Sequence, residues 1–352
     1  LVIRTSEDNG ATWTAKQTIA EGSQHFGYGD AAAVANGQDV LVMAVAGNVF
    51  YAYADSDNPQ QAYRIYSNDN GVTWEKEDIS SNMESLFPDY HGLFFGSGKL
   101  AVDPDFNGSG NARVYGAILM KDSQGERNYV LYSDNWGKTW NILGNAVAAR
   151  QNEPKVEILP NGQILLSARR GSGRTFNVFT YTDKANNAGT WSTATNGCDN
   201  GGNSTNGEII CLDAKKPNGK PTKILLQSQP YGSDRRNVSI WYKEISANET
   251  YTASSIASDW TMGKQVSTQL SAYSAMCLQA NGEIALFFEE APCYGDDHTK
   301  GYSMVYVPLT IEDITENNFL NPNADVEYVP AEFNIVLTDT EGNEYRETLD
   351  YI

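Results

Sequence analysis

Apolar residues recur in short runs along the chain, and pairs of these runs are separated by a tight turn. Three such pairs are joined by a turn ending in Asn-Gly: AAAVANGQDVLVMAV, KVEILPNGQILLSAR and AMCLQANGEIALFFE. A looser copy reads HGLFFGSGKLAV. Asn-Gly between β-rich runs is typical of a β-hairpin. No window shows a sustained apolar period of 3.6 residues, so long amphipathic helices are not expected.

A second repeat is interleaved with the hairpins and follows the pattern S-x-[DN]-x-G-x-T-W. It occurs as SEDNGATW from Ser6, SNDNGVTW from Ser67 and SDNWGKTW from Ser133, and TDKANNAGTW from Thr182 is a damaged copy. Short Ser and Asp side chains accept hydrogen bonds from backbone N–H groups inside a turn. The glycine can adopt positive φ, and the tryptophan can bury a large ring. We therefore interpret these box turns as structural devices.

The two repeats together define a unit of a hairpin, a third strand and a box turn leading to a fourth strand. Four strands per unit are typical of a propeller blade. The sequence predicts an all-β, six-bladed β-propeller with four-stranded antiparallel blades, forming one domain over residues 1–352. The chain starts five residues before Ser6, as if inside a strand, so we expect the N-terminal part of the first blade to be missing. Residues from about 320 to 352 are expected to be closing strands and a tail.

Composition narrows the classes of partner. The chain has 25 Lys and Arg against 44 Asp and Glu, a net charge of −19, which argues against nucleic-acid and anionic-membrane surfaces. No apolar run is long enough for a membrane span.

The four cysteines lack the close spacing of a zinc site, and their disulfide pairing is left open. Cys277, inside an apolar run, is expected to be a buried thiol. We expect no metal and no cofactor.

Two hairpins place polar groups at corresponding positions. Glu153 lies eight residues before Asn161 in the turn, and Arg169 lies eight after it. In an antiparallel hairpin these two residues meet at the same end, on neighbouring strands.

The hairpin around Asn281 has the same register, with Tyr273 eight residues before the turn and Glu289 eight after it. In a propeller the corresponding strand ends of different blades converge near the central axis. The repeated register therefore predicts a site built from both hairpins.

The box turns resemble the Asp box of sialidases and of some other propeller families, and further segments resemble bacterial sialidases. The segment NEP with its hairpin resembles the one carrying the family's catalytic Glu and second carboxylate-binding arginine, which implies Glu153 and Arg169. SDRRNVSI resembles the third-arginine segment and implies Arg235 rather than Arg236. AYS resembles the nucleophile segment and implies Tyr273.

Two more residues follow from the same resemblance. Glu289 matches the carboxylate that orients the family's first arginine, and GDAAAV implies Asp30 near the substrate. The first arginine and the acid/base Asp of the family precede the first Asp box, so neither is expected among these 352 residues.

The resemblance implies an exo-sialidase that removes terminal sialic acid from glycoproteins, glycolipids or oligosaccharides with retention of configuration. A tyrosine nucleophile suits this sugar because a carboxylate beside the anomeric carbon repels a carboxylate nucleophile. It also implies a secreted or periplasmic bacterial protein. Three alternatives stay open: an intramolecular trans-sialidase on the same scaffold, a sialic-acid-binding propeller without catalysis, and an Asp-box glycosidase for another polysaccharide. Linkage preference and oligomeric state are left open.

Overall fold

A computed structural model shows an all-β propeller of antiparallel blades. It describes residues 1–147, 151–247, 249–291 and 301–326, and the backbone of two later strands. The chain begins with a two-stranded sheet, which pairs β1 (Val2–Ile3) with β2 (Gln17–Thr18). None of the described helices is long and apolar enough to cross a membrane.

The first two blades each combine a hairpin with outer strands. Their elements are β3 (Gly27–Asn36), β4 (Asp39–Gly47), β5 (Gln61–Ser67), β6 (Glu75–Asp78), α1 (Ser80–Leu86), β7 (Tyr90–Phe95), β8 (Gly98–Lys99), β9 (Ala101–Asp103), β10 (Arg113–Asp122), β11 (Gly125–Ser133) and β12 (Asn141–Ile142). The first blade has the strand order β6-β5-β4-β3-β8 and the second β12-β11-β10-β7, with β9 also paired to β10. Two 3₁₀ turns cover Tyr51–Tyr53 and Phe106–Gly108.

The remaining blades follow in chain order. Their elements are β13 (Asn152–Ile158), β14 (Ile164–Arg169), β15 (Arg174–Asp183), β16 (Ala188–Trp191), β17 (Thr195–Gly197), β18 (Ile209–Lys215), β19 (Pro221–Gln229), β20 (Ser239–Ile245), α2 (Ala253–Ala257), β21 (Thr261–Gln265), β22 (Leu270–Leu278), β23 (Ile284–Ala291), β24 (Ser303–Leu309) and α3 (Ile311–Thr315). The third blade has the strand order β13-β14-β15-β16 with β17 beside β15, the fourth β18-β19-β20-β21, and the fifth β22-β23-β24. The strands β25 (Glu332–Thr338) and β26 (Glu344–Asp350) pair with each other.

The described residues form five blades, so the prediction of six blades is wrong for the part of the chain that the structure describes. The reason is the strand count of the first unit. Its box turn joins only β1 and β2, and two strands do not make a four-stranded blade. This small sheet still packs as a blade edge, because the Trp13 ring lies 5.6 Å from Phe287 and 5.4 Å from Tyr306 of the fifth blade.

The box turns share one hydrogen-bond pattern. In the second, Ser67 Oγ accepts from Gly71 N at 2.8 Å, and the Asp69 carboxylate accepts from Thr73 N at 2.9 Å. Gly71 has φ of 81°, a conformation that glycine adopts without steric cost. Equivalent bonds link Ser6 to Gly10 N and Ser133 to Gly137 N in the other two turns.

Strands of neighbouring blades pack against one another: β7 on β3, β13 on β10, β18 on β13, and β22 on both β18 and β8. Apolar side chains between neighbouring blades form the core, including Leu41, Phe95, Leu166 and Leu286, all fully buried. This packing brings one end of each inner strand to a common central region.

Three of the cysteines fall in the described part of the chain, and all are free thiols. Cys198 is buried, but Cys277 is exposed, so the prediction of a buried thiol at Cys277 is wrong. Successive side chains along β22 point to opposite faces of the sheet, and Met276, next to Cys277, is the one that is buried. Cys293 lies outside the described residues.

Candidate active site

Polar side chains from three blades meet at one end of the inner strands. Asp30 comes from β3, Glu153 from β13 and Tyr273 from β22. Arg169, at the end of β14, and Arg235, in the loop before β20, lie beside them. The structure therefore brings together residues that the sequence places in separate hairpins.

Each of the three inner strands carries a β-bulge at its site residue. The register shifts between Gly29 and Ala32 in β3, between Asn152 and Pro154 in β13, and between Ser271 and Ser274 in β22. Asp30, Glu153 and Tyr273 lie inside these shifts. A bulge interrupts the alternation of side chains and re-aims one of them, which is why bulges are frequent next to active sites.

The bulge in β13 changes the expected register of its hairpin. Arg169 is paired with Asn152, and Glu153 is the extra residue rather than the direct partner of Arg169. The two side chains still meet, because Arg169 Nη1 donates to Glu153 Oε1 and Oε2 at 3.0 and 2.8 Å. Pro154, which cannot donate to the ladder, is the sequence signal for this bulge.

Tyr273 and Glu153 form the closest polar contact of the site. The phenol donates to Glu153 Oε1 at 2.5 Å, and the residues of this pair come from the fifth and third blades. Burial raises the pKa of Tyr273 to about 12, and the charge of Glu153 and the hydrogen bond to it act in the same direction. Arg169 and Arg235 oppose that increase. The phenol is therefore neutral at physiological pH, with a proton acceptor already in contact.

The adjacent arginines of SDRRNVSI have different surroundings. The Arg235 guanidinium lies 5.7 Å from the centre of the Tyr273 ring, and no carboxylate lies within salt-bridge distance of it in the described part of the chain. The backbone carbonyl of Arg235 accepts from Ser271 N at 2.9 Å, which ties this loop to β22. Arg236 Nε instead lies 3.8 Å from Asp234 Oδ2, and its side chain is exposed.

Asp30 lies at the rim of the site with an unusual backbone conformation. Its φ is 50°, which Asp tolerates better than most residues. Ser97 Oγ donates to Asp30 Oδ1 at 3.2 Å. The loss of hydration caused by the surrounding protein raises the pKa of Asp30, although its carboxylate is still in contact with solvent. The hydrogen bond from Ser97 lowers this pKa, and the charge of Glu153 raises it. A cavity of about 820 Å³ adjoins Asp30, lined in part by Tyr28, Phe50 and Tyr51.

Glu289 lies on β23, opposite the bulge of β22, as the equal spacing around Asn281 suggested. Its Oε2 accepts from the backbone N of Tyr273 at 3.3 Å. The contact is with the main chain, so Glu289 fixes the bulge that presents the phenol.

Sequence reasoning missed the buried charges beneath these residues. Lys155 and Glu208 form an ion pair at 3.3 Å with both side chains fully buried. Arg174 is also fully buried, and donates to Ser167 O at 2.8 Å and to Glu153 O at 3.4 Å. Burial lowers the pKa of Arg174 to about 10. The sequence signal for this cluster is weak. Lys155 is two residues after Glu153 on the same strand, and the alternation of side chains along a strand places such residues on one face of the sheet.

No group of three or more His, Cys, Asp or Glu side chains suited to a metal ion occurs among the described residues. The side chains that the site brings together are a phenol, carboxylates and guanidinium groups.

Solved structures that share this fold include sialidases. The Hadza microbial sialidase Hz136 has a TM-score of 0.67 and 18% identity, over 89% of this chain and 60% of that one. The intramolecular trans-sialidase from Ruminococcus gnavus, in complex with oseltamivir carboxylate, has a TM-score of 0.65 and 16% identity, over 89% and 88%. The Trypanosoma rangeli sialidase, as a covalent intermediate with 2,3-difluorosialic acid, has a TM-score of 0.63 and 17% identity, over 89% and 49%. At these identities the likeness shows a shared fold.

The chain is shorter than some of these enzymes, and a family model covers much of its sequence. The chain spans 60% of the Hadza enzyme, and a sequence search of curated proteins gave no significant match. A family model described as the BNR repeat-like domain matches residues 2–207, more than half of the chain. This stretch contains the three box turns and the strands that carry Asp30, Glu153 and Arg169. The chain belongs to the BNR repeat-like domain family.

Proposed function

We propose that this protein is an exo-sialidase, which hydrolyses terminal sialic acid from glycoconjugates with retention of configuration. The observation that carries the proposal is the 2.5 Å hydrogen bond from the Tyr273 phenol to Glu153, with Arg169 and Arg235 beside it. A phenol activated by a carboxylate, next to two guanidinium groups, suits a sugar with an anionic group at its reacting carbon.

In the first step Tyr273 is the nucleophile and Glu153 the base. The phenol oxygen forms a bond to the anomeric carbon as the bond from that carbon to the leaving oxygen breaks. The phenol proton moves to Glu153 Oε1, with which it is already hydrogen-bonded. Because the pKa of Tyr273 is about 12, transfer to a contacting base is needed to form the phenolate at neutral pH.

The two arginines hold the carboxylate of the sugar. Guanidinium groups match carboxylates in geometry and remain charged at all relevant pH values. Arg235 lacks a carboxylate partner in the part of the chain described, so an anionic ligand would neutralise it without breaking an existing pair. Arg169 is already bound to Glu153 through Nη1, and a substrate carboxylate would share its remaining donors.

Water then completes the reaction by attacking the anomeric carbon and displacing Tyr273, which recovers its proton from Glu153. The water gives up its own proton to the conjugate base of the acid that had protonated the leaving oxygen. Two displacements at the same carbon restore its configuration. The acid that protonates the leaving oxygen is not assigned to a residue of this chain.

The substrates would be sialylated glycoproteins, glycolipids or oligosaccharides. The net charge of −19 does not oppose this, because the arginines create a local cationic site within an acidic surface. Such substrates are displayed outside cells, so we also propose a secreted or periplasmic location.

The proposal is tested by hydrolysis of 4-methylumbelliferyl sialic acid, with the protein expressed together with any coding sequence that precedes Leu1. Tyr273→Phe removes the nucleophile and keeps the ring, so turnover should fall at least about a thousandfold while sialic acid binding changes little. Tyr231→Phe is the matched control, because Tyr231 is 42% exposed and should leave turnover unchanged.

The products separate the alternatives. Free sialic acid supports hydrolysis, and an anhydro sugar would identify an intramolecular trans-sialidase that uses the same residues. Sialic acid binding without turnover in the wild type would instead indicate a binding propeller. If the wild type neither binds nor hydrolyses sialic acid, the proposal is contradicted, and a different glycan becomes the favoured substrate.

A further inference from the structure

A short central segment, residues 96–99, passes through the middle of the ring. Its β8 part pairs with β3 in the first blade, in the register Ala32 to Gly98. A Cβ added at Gly96 would lie 1.8 Å from Pro154 O of the third blade, and one at Gly98 would lie 2.4 Å from Glu208 Oε2. The segment is thus enclosed by the strands that surround it, and only glycine fits at these two positions.

The buried ion pair holds this central segment. Lys155 Nζ donates to Gly96 O at 2.9 Å and to Ser97 O, and it also contacts Glu208 Oε2 at 3.3 Å. Glu208 Oε2 in turn accepts from Lys99 N at 3.0 Å. The pair therefore binds the segment at two kinds of backbone group, carbonyl oxygens through Lys155 and an amide through Glu208.

The segment also carries a hydrogen-bond donor for the site. Ser97 Oγ donates to Asp30 Oδ1 at 3.2 Å, while Asn206 Nδ2 donates to Ser97 O at 2.8 Å. Within the described chain, Ser97 is the one side chain that hydrogen-bonds the Asp30 carboxylate. The position of Asp30 is thus linked through Ser97 to Lys155 and Glu208.

A fully buried ion pair contributes little to the free energy of unfolding, because desolvation offsets the attraction between the charges. Both charges lose their hydration, and replacing such a pair by apolar side chains is often neutral or stabilising. Burial lowers the pKa of Lys155 and raises that of Glu208, which shows the same cost in another form. The contacts of this pair point instead to a role in fixing geometry.

We propose that Lys155 and Glu208 are positioning residues, which fix Ser97 and through it orient Asp30 toward the bound sugar. The pair therefore sets the affinity for substrate and not the rate of the Tyr273 step. This inference rests on the proposed function, since it takes sialic acid as the ligand of Asp30.

The test is a double variant, Lys155→Met with Glu208→Leu, assayed for 4-methylumbelliferyl sialic acid hydrolysis and for sialic acid binding. We expect a thermal midpoint near that of the wild type, because no unpaired charge stays buried. KM and the dissociation constant should rise about ten- to a hundredfold, and kcat should change less than about threefold. The single variant Glu208→Leu should be much less stable, since it leaves the Lys155 charge unpaired.

A second ion pair provides the matched control. Lys99 Nζ lies 2.8 Å from Glu157 Oε2. Lys99 is the last residue of the same segment, but neither side chain of this second pair is hydrogen-bonded to Ser97. Lys99→Met with Glu157→Leu should leave KM unchanged. An equal rise of KM in both double variants would show general loosening of the ring and overturn the proposal.

Ser97→Ala gives a further test of the link. Alone it should raise KM as the double variant does, and added to the double variant it should have no further effect, because the three residues act in series. Independent, additive effects or a double variant with wild-type KM would contradict the inference. If the wild type neither binds nor hydrolyses sialic acid, the proposed function fails, and a crystal structure of the double variant still decides whether Ser97 has left Asp30.

Discussion

The Tyr273 hydroxyl lies 2.5 Å from Glu153 Oε1, although the two residues are 120 positions apart in the sequence. The contact joins the innermost strands of the third and fifth blades, and both strands are bulged at this point. It couples the protonation of one residue to the charge of the other, and this coupling can be measured.

Glu153→Gln should abolish most activity. The amide cannot take the phenol proton, so kcat is expected to fall about 10²- to 10⁴-fold. Steady-state hydrolysis of 4-methylumbelliferyl sialic acid measures this, with Glu157→Gln on the same strand as the control. A decrease smaller than about threefold would contradict the role of Glu153 as base.

The same substitution should lower the pKa of Tyr273. The Glu153 charge and its hydrogen bond both raise this pKa, which is about 12, whereas Arg169 and Arg235 lower it. Removing the carboxylate leaves the effect of the arginines, so the phenolate forms at lower pH. Ultraviolet titration of Glu153→Gln against Glu153→Gln/Tyr273→Phe isolates this one tyrosine. An unchanged or higher pKa would show that burial alone controls it.

Arg235 and Arg236 should respond differently to substitution by alanine. Arg235→Ala removes the guanidinium beside Tyr273, and the loss of a charge-assisted contact should weaken sialic acid binding about tenfold or more. Arg236→Ala removes an exposed side chain paired with Asp234, and binding should stay within about twofold. Calorimetric titration with sialic acid compares the two. Equal effects would remove the basis for assigning Arg235 to the carboxylate.

The box turns predict a loss of stability in acid. Hydrogen bonds, first of all those from Thr12 and Thr73, lower the pKa values of Asp8 and Asp69 from 3.8 to about 2. These groups therefore stabilise the folded state above the unfolded value of 3.8, and this contribution is lost as the pH falls toward about 2. Asp69→Asn should make the thermal midpoint less dependent on pH in this window.

The third box turn supplies the reciprocal control. Asn135 replaces the carboxylate there and bonds Thr139 through both its oxygen and its nitrogen, each at 2.9 Å. Asn135→Asp should make the thermal midpoint more dependent on pH in this window, which is the opposite of the change expected for Asp69→Asn. If neither variant changes the slope, the acid transition arises elsewhere in the chain.

Gly96→Ala should destabilise the protein by about 1–3 kcal/mol, because its Cβ would collide with the backbone carbonyl of Pro154. Gly27→Ala is the control, since a Cβ there meets no atom within 4 Å. Urea unfolding of both variants gives the comparison. A Gly96→Ala variant as stable as the wild type would show that the central segment can move aside.

The propeller blades and the meeting of two hairpins could be predicted from the sequence, because Asn-Gly turns and the box repeat are local signals. Glu153 with Arg169, and Tyr273 with Glu289, follow from equal distances to a turn. The bulges could not be read in the same way. A bulge is one extra residue against a partner strand, and only Pro154 marks one of the three.

The buried charges escaped prediction for a different reason. Lys155 and Glu208 are 53 positions apart and meet through the stacking of neighbouring blades. Ser97 reaches Asp30 across 67 positions because β8 pairs with β3. No periodicity in the sequence encodes such pairs. The five-blade count likewise depends on how many strands each unit contributes, and the box turn alone does not report that number.

Ring closure in this fold depends on a contact of very long sequence separation. Tyr306 Oη donates to Asn9 O at 2.6 Å across 297 positions, beside the packing of Trp13 on the fifth blade. Closing so long a loop carries a large entropic cost, so this contact is expected to form late in folding. The fifth blade also carries Tyr273, and before closure it is held by its contacts with the fourth blade and with the centre. The distance from the phenol to Glu153 is therefore set by the whole circumference, and catalytic competence should be acquired last, as the ring closes.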